Sequence, residues 1–279
     1  MNKKNKKLNE TFGKNSKEIN RLIINFFNEN NLISKNKLNN SLKLKCIKKF
    51  DHCLVDANVY SVIIPFCIID DNVFILIEKR SAYVKQPLEL SFPGGKKEDH
   101  ENSMLDVALR ECEEEIGLNS KAFSKIRFCG LFANLKTVIY VFAGLIKTQV
   151  SKKIKVQLIN DPQNDLSKSL NDKKILSYSN PIENLLKINK KEVEKVILFP
   201  FELFLQKPYI FEINYKGHIQ NLPEDENLKK IIENNYLKDG FYLPYTRTIR
   251  YWKYENEVLW GYSADIISSV VMKIIGKTK

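Results

Sequence analysis

The stretch that most constrains this chain is residues 92–118, FPGGKKEDHENSMLDVALRECEEEIGL. It opens on a turn signal, Pro93-Gly94-Gly95, and passes through an acidic polar loop. From Ser103 it reads as a helix, because Met104, Leu105, Val107, Ala108, Leu109 and Cys112 recur at helical spacing and Gly117 sits where a helix stop belongs. Near the helix end, Glu111, Glu113, Glu114 and Glu115 crowd together. Glu111 and Glu115 are one turn apart with Glu114 beside them, which predicts three carboxylates on one face. Like charges at that spacing repel, and acid beside the negative end of the helix dipole has the wrong sign for stability. A divalent cation would reverse the balance, since Mg²⁺ takes carboxylate oxygens together with substrate phosphates. The residues alone leave two readings, a solvated acidic helix end and a cation site.

The stretch resembles the Nudix box, whose pattern is Gly, five residues, Glu, seven residues, then Arg-Glu-apolar-any-Glu-Glu-any-Gly-apolar. Gly95, Glu101, Arg110, Glu111, Cys112, Glu114, Glu115, Gly117 and Leu118 fill those places, with eight residues instead of seven between Glu101 and Arg110. The longer spacing also occurs in the coenzyme A pyrophosphatase branch of the family, which reads roughly LLxxRSxxLRxHxGxVxFPGG ahead of the box. Here the corresponding segment is ILIEKRSAYVKQPLELSFPGG, matching at Arg80-Ser81, Val84-Lys85 and Ser91 to Gly95. Its loop is one residue shorter and lacks the family His and Gly, which weakens the coenzyme A pocket more than the hydrolytic site. The ending LWGYSADII resembles that branch's WGLTA-helix, with Tyr262 and Ser263 for Leu and Thr. NKKEVEKVILFPF resembles the family's Asn and Glu-Val ahead of a hydrophobic strand, here Asn189, Glu192-Val193 and Pro200-Phe201. The resemblance spans residues 58 to 275.

This resemblance implies an α+β fold, an α/β/α sandwich with a mixed sheet, the box helix and a C-terminal helix. It implies that Glu111, Glu114 and Glu115 bind Mg²⁺ or Mn²⁺, helped by the Gly94 carbonyl. Arg110 would pair with Glu101 and, with Gly94 and Gly95, hold the loop against the helix. Arg80, Ser81 and Lys85 would contact substrate; Lys79 is a further phosphate candidate, or else an exposed strand residue. Glu114, Glu115 and Glu192 are the catalytic candidates. The base is open between Glu114, Glu192 and water activated by the cation. The implied reaction is hydrolysis of the pyrophosphate bond of coenzyme A or its derivatives to 3′,5′-ADP and 4′-phosphopantetheine. The alternatives are another nucleoside diphosphate derivative (ADP-ribose, a dinucleotide polyphosphate, capped RNA) and a non-catalytic binding module.

Around this stretch the chain divides into an extension, residues 1–55, and a domain over 56–275. The extension is basic and Asn-rich, and KEINRLIINFFNEN places Ile19, Leu22, Ile23, Phe26 and Phe27 on one face of a helix docked on the domain. Residues 58–69 and VFILIEKR read as two strands around Asp70-Asp71-Asn72, with Pro65 near a bulge or edge. Residues 148–187 are polar with little periodicity and read as a partly disordered surface insertion. Residues 206–257 read as mixed strand and loop that could lid the site, with Tyr242, Tyr245, Arg247 and Tyr251 able to stack an adenine. A final helix carries Ile266, Ile267, Val270, Val271 and Ile274 as its apolar stripe, with Ser263 as N-cap.

The net charge of +12 comes largely from lysine in Asn- and Lys-rich stretches. It permits an anionic nucleotide partner; a nucleic-acid contact stays open, because a charge run alone reads first as solvated surface. Five cysteines form no C-x-x-C pair and three histidines complete no zinc spacing; Cys67, Cys112 and Cys129 read as reduced core residues. No apolar run is long enough to span a bilayer, so no membrane partner is expected. Cytosol is the default location, with mitochondrial or peroxisomal import open although no clear signal is present. A homodimer stays open.

Overall fold

The computed structural model describes residues 16–28, 58–98, 100–101, 103–133, 137–160, 185–213, 219–220, 225–232 and 247–276. Its spine is β1 (Asn58–Ile69), whose β-branched and aromatic run is buried on both faces from Ile63 to Cys67. β1 turns into β2 (Asn72–Arg80) through Asp70 and Asp71, both at positive φ, 48° and 66°. That is the geometry a tight hairpin requires and that Asp tolerates. Short β3 (Leu90–Ser91) and β4 (Gly94–Lys96) follow, then the box helix, here α2 (Met104–Ile116), after α1 (Ser16–Asn28) in the extension. Next come β5 (Phe123–Ala133), β6 (Thr137–Ile146), α3 (Thr148–Asn160) and β7 (Val193–Pro200).

These strands form one mixed sheet in the order β3-β2-β1-β6-β5, with β4 added to β1 and β7 to β2. β1 and β6 run parallel, and the other pairs are antiparallel. Pro65 is interior to β1, where it pairs with Gly144 of β6. It is tolerated because the opposite edge of β1 changes partner there. Ile63 donates to Pro93, and pairing with β2 begins at Phe66, so the missing N–H falls in the gap.

Helices cover both faces. α1 and α5 (Gly261–Ile274) pack on one side with Ile64, Phe66, Ile75 and Ile77; α2 and α3 pack on the other with Ile63, Cys67 and Leu76. The result is the α/β/α sandwich expected. α1 buries Ile19, Ile23, Phe26 and Phe27, each contributing about 1.5–3 kcal/mol before the ordering of the helix is set against it. Asn20 donates to the Asp71 carbonyl at 2.6 Å, and Arg127 of β5 lies 4.3 Å above the Phe26 ring while donating to the Phe26 carbonyl. A cation at that end of a helix also meets the negative pole of its dipole.

Three expectations need correction. The segment 148–187 is not all surface insertion: α3 opens it, with Ser151 and Ile154 fully buried against β1. Ser151 and Ile154 are one turn apart, and Val150 packs on the same cluster, which seats the start of the helix. Residues 161–184 lie outside the described residues. The region after residue 206 builds a second sheet, β11 (Glu257–Trp260), β10 (Arg247–Tyr254), β8 (Tyr209–Ile213) and β9 (Ile219–Gln220), with α4 (Glu226–Ile232) packed on it. Tyr251 is 5% exposed and stacks on Tyr209 at 5.1 Å, so it serves that small core and is not free for a base. Tyr242 and Tyr245, and the side chain of Arg247, lie outside the described residues. Finally, α5 starts at Gly261 with Trp260 at the cap and no side-chain capping bond, which puts Ser263 inside the first turn. Among the described residues no helix is long and apolar enough to cross a membrane.

Candidate functional site

The box loop and helix are held together by backbone close approach. Gly94 pairs with Val62 and Gly95 with Ser61 across β1. A Cβ on Gly94 would stand 2.3 Å from the Ser61 carbonyl oxygen, and one on Gly95 would stand 2.1 Å from Glu111 Oε1. Gly94 therefore requires glycine by backbone contact, whereas a side chain at Gly95 would displace the Glu111 carboxylate. α2 begins at Ser103, whose hydroxyl accepts from Leu105 N at 3.2 Å, and ends at Gly117, in the left-handed region at φ 80°. Ser61 Oγ donates to the Met104 carbonyl at 2.5 Å, tying the start of the helix to β1.

Arg110 lies at the centre of the acidic cluster. It donates from Nε to Glu101 Oε1 at 2.9 Å, from Nη2 to Glu111 Oε1 at 2.8 Å and from Nη1 to Glu114 Oε2 at 2.8 Å. Glu101 also accepts from Glu98 N at 2.8 Å. Burial works against the Glu101 carboxylate, but Arg110 and the Glu98 N–H outweigh it and hold the group below its ordinary range. This is the predicted Glu101–Arg110 latch. The expected common face of Glu111, Glu114 and Glu115 is only partly realised. Glu115 is 4% exposed, whereas the Glu114 side chain is 53% exposed and drawn outward by Arg110.

Glu115 points inward. Its Oε2 accepts from Gly94 N at 2.9 Å. Burial raises its pKa, and the negative charge of Glu78 raises it further, against the Gly94 N–H and Arg80. Glu78 on β2 is raised for the same leading reason, burial, with Ser91, Arg80 and a side-chain hydrogen bond with Glu115 opposing and Glu192 adding to the rise. Glu111 is raised by burial too, with Arg110 opposing and Glu114 and Glu192 contributing. Glu192, exposed in the turn before β7, is thus close enough for its charge to act on the cluster.

The substrate candidates separate. Arg80 shares the Glu78 face of β2, is partly exposed, and donates from Nε to the Lys85 carbonyl at 3.0 Å. Its charge favours ionisation of both Glu78 and Glu115, so it belongs to the site. Lys85 is exposed on the neighbouring loop. Ser81 is not available for substrate: it is 3% exposed, and its hydroxyl donates to the Lys191 carbonyl at 2.6 Å while its N–H donates to Glu192 O at 2.8 Å. Lys79 sits on the opposite face of β2, paired with Glu257 at 3.1 Å; strand alternation takes it away from Glu78 and Arg80. Glu78 itself was missed by the motif. The available signal was an acid directly after the apolar run VFILI.

Among the described residues no group of three His, Cys, Asp or Glu side chains is arranged to hold a metal ion as it stands, Arg110 having drawn Glu111 and Glu114 to itself. The donor set nevertheless fits a divalent cation. Its oxygens are hard ligands, they carry more negative charge than Arg80 and Arg110 neutralise, and one of them, Glu78 Oε2, is buried and receives no hydrogen bond from any N–H or hydroxyl donor.

The sequence model of the NUDIX domain matches residues 60–216, more than half of the chain. The chain belongs to the Nudix family. It is 27% identical over 182 residues to Nudix hydrolase 3 of Caenorhabditis elegans, an alignment covering 64% of this chain and 63% of that protein. Over 66 residues it is 33% identical to the mouse (Mus musculus) peroxisomal coenzyme A diphosphatase NUDT7, covering 23% of this chain and 28% of that protein. The chain thus spans less than two thirds of the curated relatives it matches. Similar solved structures include the NUDIX domain of Shewanella oneidensis NrtR complexed with ADP ribose (TM-score 0.36, 15% identity, 63% of this chain and 89% of that one). Another is a MutT/nudix family protein from Enterococcus faecalis (TM-score 0.38, 11% identity, 88% of this chain and 80% of that one).

Proposed function

We propose that the protein is a divalent-cation-dependent Nudix pyrophosphohydrolase acting on coenzyme A or its derivatives, releasing 3′,5′-ADP and 4′-phosphopantetheine. The observation that carries the hydrolase reading is Glu115, a buried carboxylate aimed at the box loop and held by the Gly94 N–H amid surplus negative charge. A structural helix gains nothing from such a group, whereas a cation-dependent site needs it. The coenzyme A assignment draws support from Arg80-Ser81, the eight-residue spacing before Arg110, the Trp260-Gly261 ending and the partial similarity to NUDT7.

When bound, Mg²⁺ or Mn²⁺ neutralises phosphate oxygens, polarises phosphorus and acidifies water. Glu111, Glu114 and Glu115 would hold it. Arg110 and Glu101 keep the loop on the helix, and Arg80, with Lys85 nearby, offers the positive charge that a diphosphate needs. Glu192, exposed and electrostatically coupled to Glu111, is the carboxylate in reach of solvent that can accept the proton of the attacking water. Ser81 acts one step back: it fixes the Glu192 turn beside Arg80.

The test is incubation of purified protein and Mg²⁺ with coenzyme A, ADP-ribose, diadenosine polyphosphates and capped RNA, with products resolved by chromatography. Appearance of 3′,5′-ADP from coenzyme A is expected. Turnover of another substrate without 3′,5′-ADP ends the coenzyme A assignment, and no turnover of any leaves a binding module.

A further inference from the structure

β2 carries a carboxylate outside the box motif. Strand alternation sends Leu76 and Glu78 to the face covered by α2, and Ile75 and Ile77 to the other. Glu78 is 1% exposed. Its Oε1 accepts from Ser91 Oγ at 2.8 Å, Ser91 being its register partner on β3. Its Oε2 is buried and receives no hydrogen bond from any N–H or hydroxyl donor; the polar group beside the carboxyl is that of Glu115. On the α2 side the group facing it is Glu115, whose own Oε2 takes the Gly94 N–H. The opposing positive charge is Arg80, two residues on and across the same face.

An isolated carboxylate in a dry setting must be neutralised by a proton, a cation or a salt-bridging side chain. Glu78 has only part of one: Ser91 satisfies a single oxygen, Arg80 donates from Nε to a backbone carbonyl, and the Glu115 carboxyl beside it can serve as a donor only while it holds a proton. A Leu or Thr would pack at this strand position without that cost. Building on the hydrolase reading above, we propose that Glu78 is a further cation-binding carboxylate of the site, facing Glu115 from the sheet. Glu115 reaches the site from the helix and Glu78 from β2, so a divalent ion between sheet and helix would be held from two independent elements. Ser91 fixes the carboxyl rotamer through Oε1 and leaves Oε2 to the ion.

Mn²⁺ binding in the absence of nucleotide tests this, read from the free-Mn²⁺ paramagnetic resonance signal for the wild type, Glu78→Gln and Glu115→Gln. Gln keeps the size of Glu78 and an acceptor for Ser91. The expected result is Mn²⁺ binding weakened about tenfold or more in Glu78→Gln, a smaller Mg²⁺-induced rise in Tm, and activity that recovers as Mg²⁺ is raised. Wild-type Mn²⁺ affinity in Glu78→Gln alongside weakened binding in Glu115→Gln would overturn the role of Glu78 and leave the hydrolase reading standing. Unchanged affinity in both variants would remove the cation assignment itself. If Glu78→Gln does not fold, Glu78→Asp takes its place: shortened by one methylene, it weakens Mn²⁺ binding under this proposal, and wild-type affinity refutes it.

Discussion

Two pairs of ionisable groups meet at the box, and they are built on opposite principles. Glu101 and Arg110 carry opposite charges, share two nitrogens and two oxygens, and hold the loop closed whatever else is bound. Glu78 and Glu115 are both acids and are buried more deeply; burial raises the pKa of each, and Glu78 adds to the rise of Glu115. The first pair stabilises the fold; the second stores a demand for positive charge. A single helix face can therefore be both latch and receptor, with Arg110 at its rim and Glu115 at its base.

The sharpest way to break the contrast is to neutralise one member of each pair. Glu115→Gln is expected to lower turnover on the order of a hundred- to a thousandfold, the several kcal/mol a bound cation supplies. Its far-UV spectrum and metal-free Tm should stay at or above the wild-type values, since a like charge is gone. Retained activity would remove Glu115 from the chemistry. Arg110→Ala should act the other way, first on stability. It leaves the nearly buried Glu101 carboxylate uncompensated, and a loss of about 2–4 kcal/mol is expected in urea unfolding. Arg110→Lys should recover only part, because one ammonium cannot reproduce a guanidinium contacting three carboxylates.

pH separates the pairs by sign. Glu101 is held below its unfolded value, so its contribution is present above about pH 4.3 and is lost as pH falls through the folded value. Glu78 is raised to about 7, and Glu115 is raised as well, so their contribution is present below about pH 4.3 and is lost as pH rises through that range. In Tm measured against pH without metal, Glu101→Gln should flatten the acid limb and Glu78→Gln the limb above pH 5. Both variants flattening the same limb would dissolve the distinction. Smaller still is the loss of the helix cap: Ser103→Ala should cost about 1 kcal/mol in urea unfolding, with little change in turnover.

Much of this was legible from residues alone. The box loop, its glycines and the helix from Ser103 to Gly117 follow from turn and cap patterns that act locally, and the Glu101–Arg110 contact from the family resemblance. The strands β1 and β2 and the stripe of α5 followed from apolar periods, and the α/β/α layering from the family resemblance. What was hidden depends on contacts distant in sequence. Ser81 looked like a ligand because it neighbours Arg80, yet alternation and a partner 110 residues away take its hydroxyl. Glu78 was passed over because a motif counts positions along one segment, while its importance comes from Glu115 on another element. Tyr251, a candidate for stacking an adenine, is instead part of a second core, whose other half lies about 40 residues earlier at Tyr209.

The anchoring of β7 has a consequence for how this chain can change. Lys147 N is bound to the Ala122 carbonyl, Asn189 N to the Glu115 carbonyl at the end of α2, and Ser81 N to Glu192. Both ends of the lysine- and asparagine-rich segment are thus clamped to the framework before and after it. Changes between Lys147 and Asn189 that spare Ser151 and Ile154 should therefore leave Glu115 and Glu192 in position.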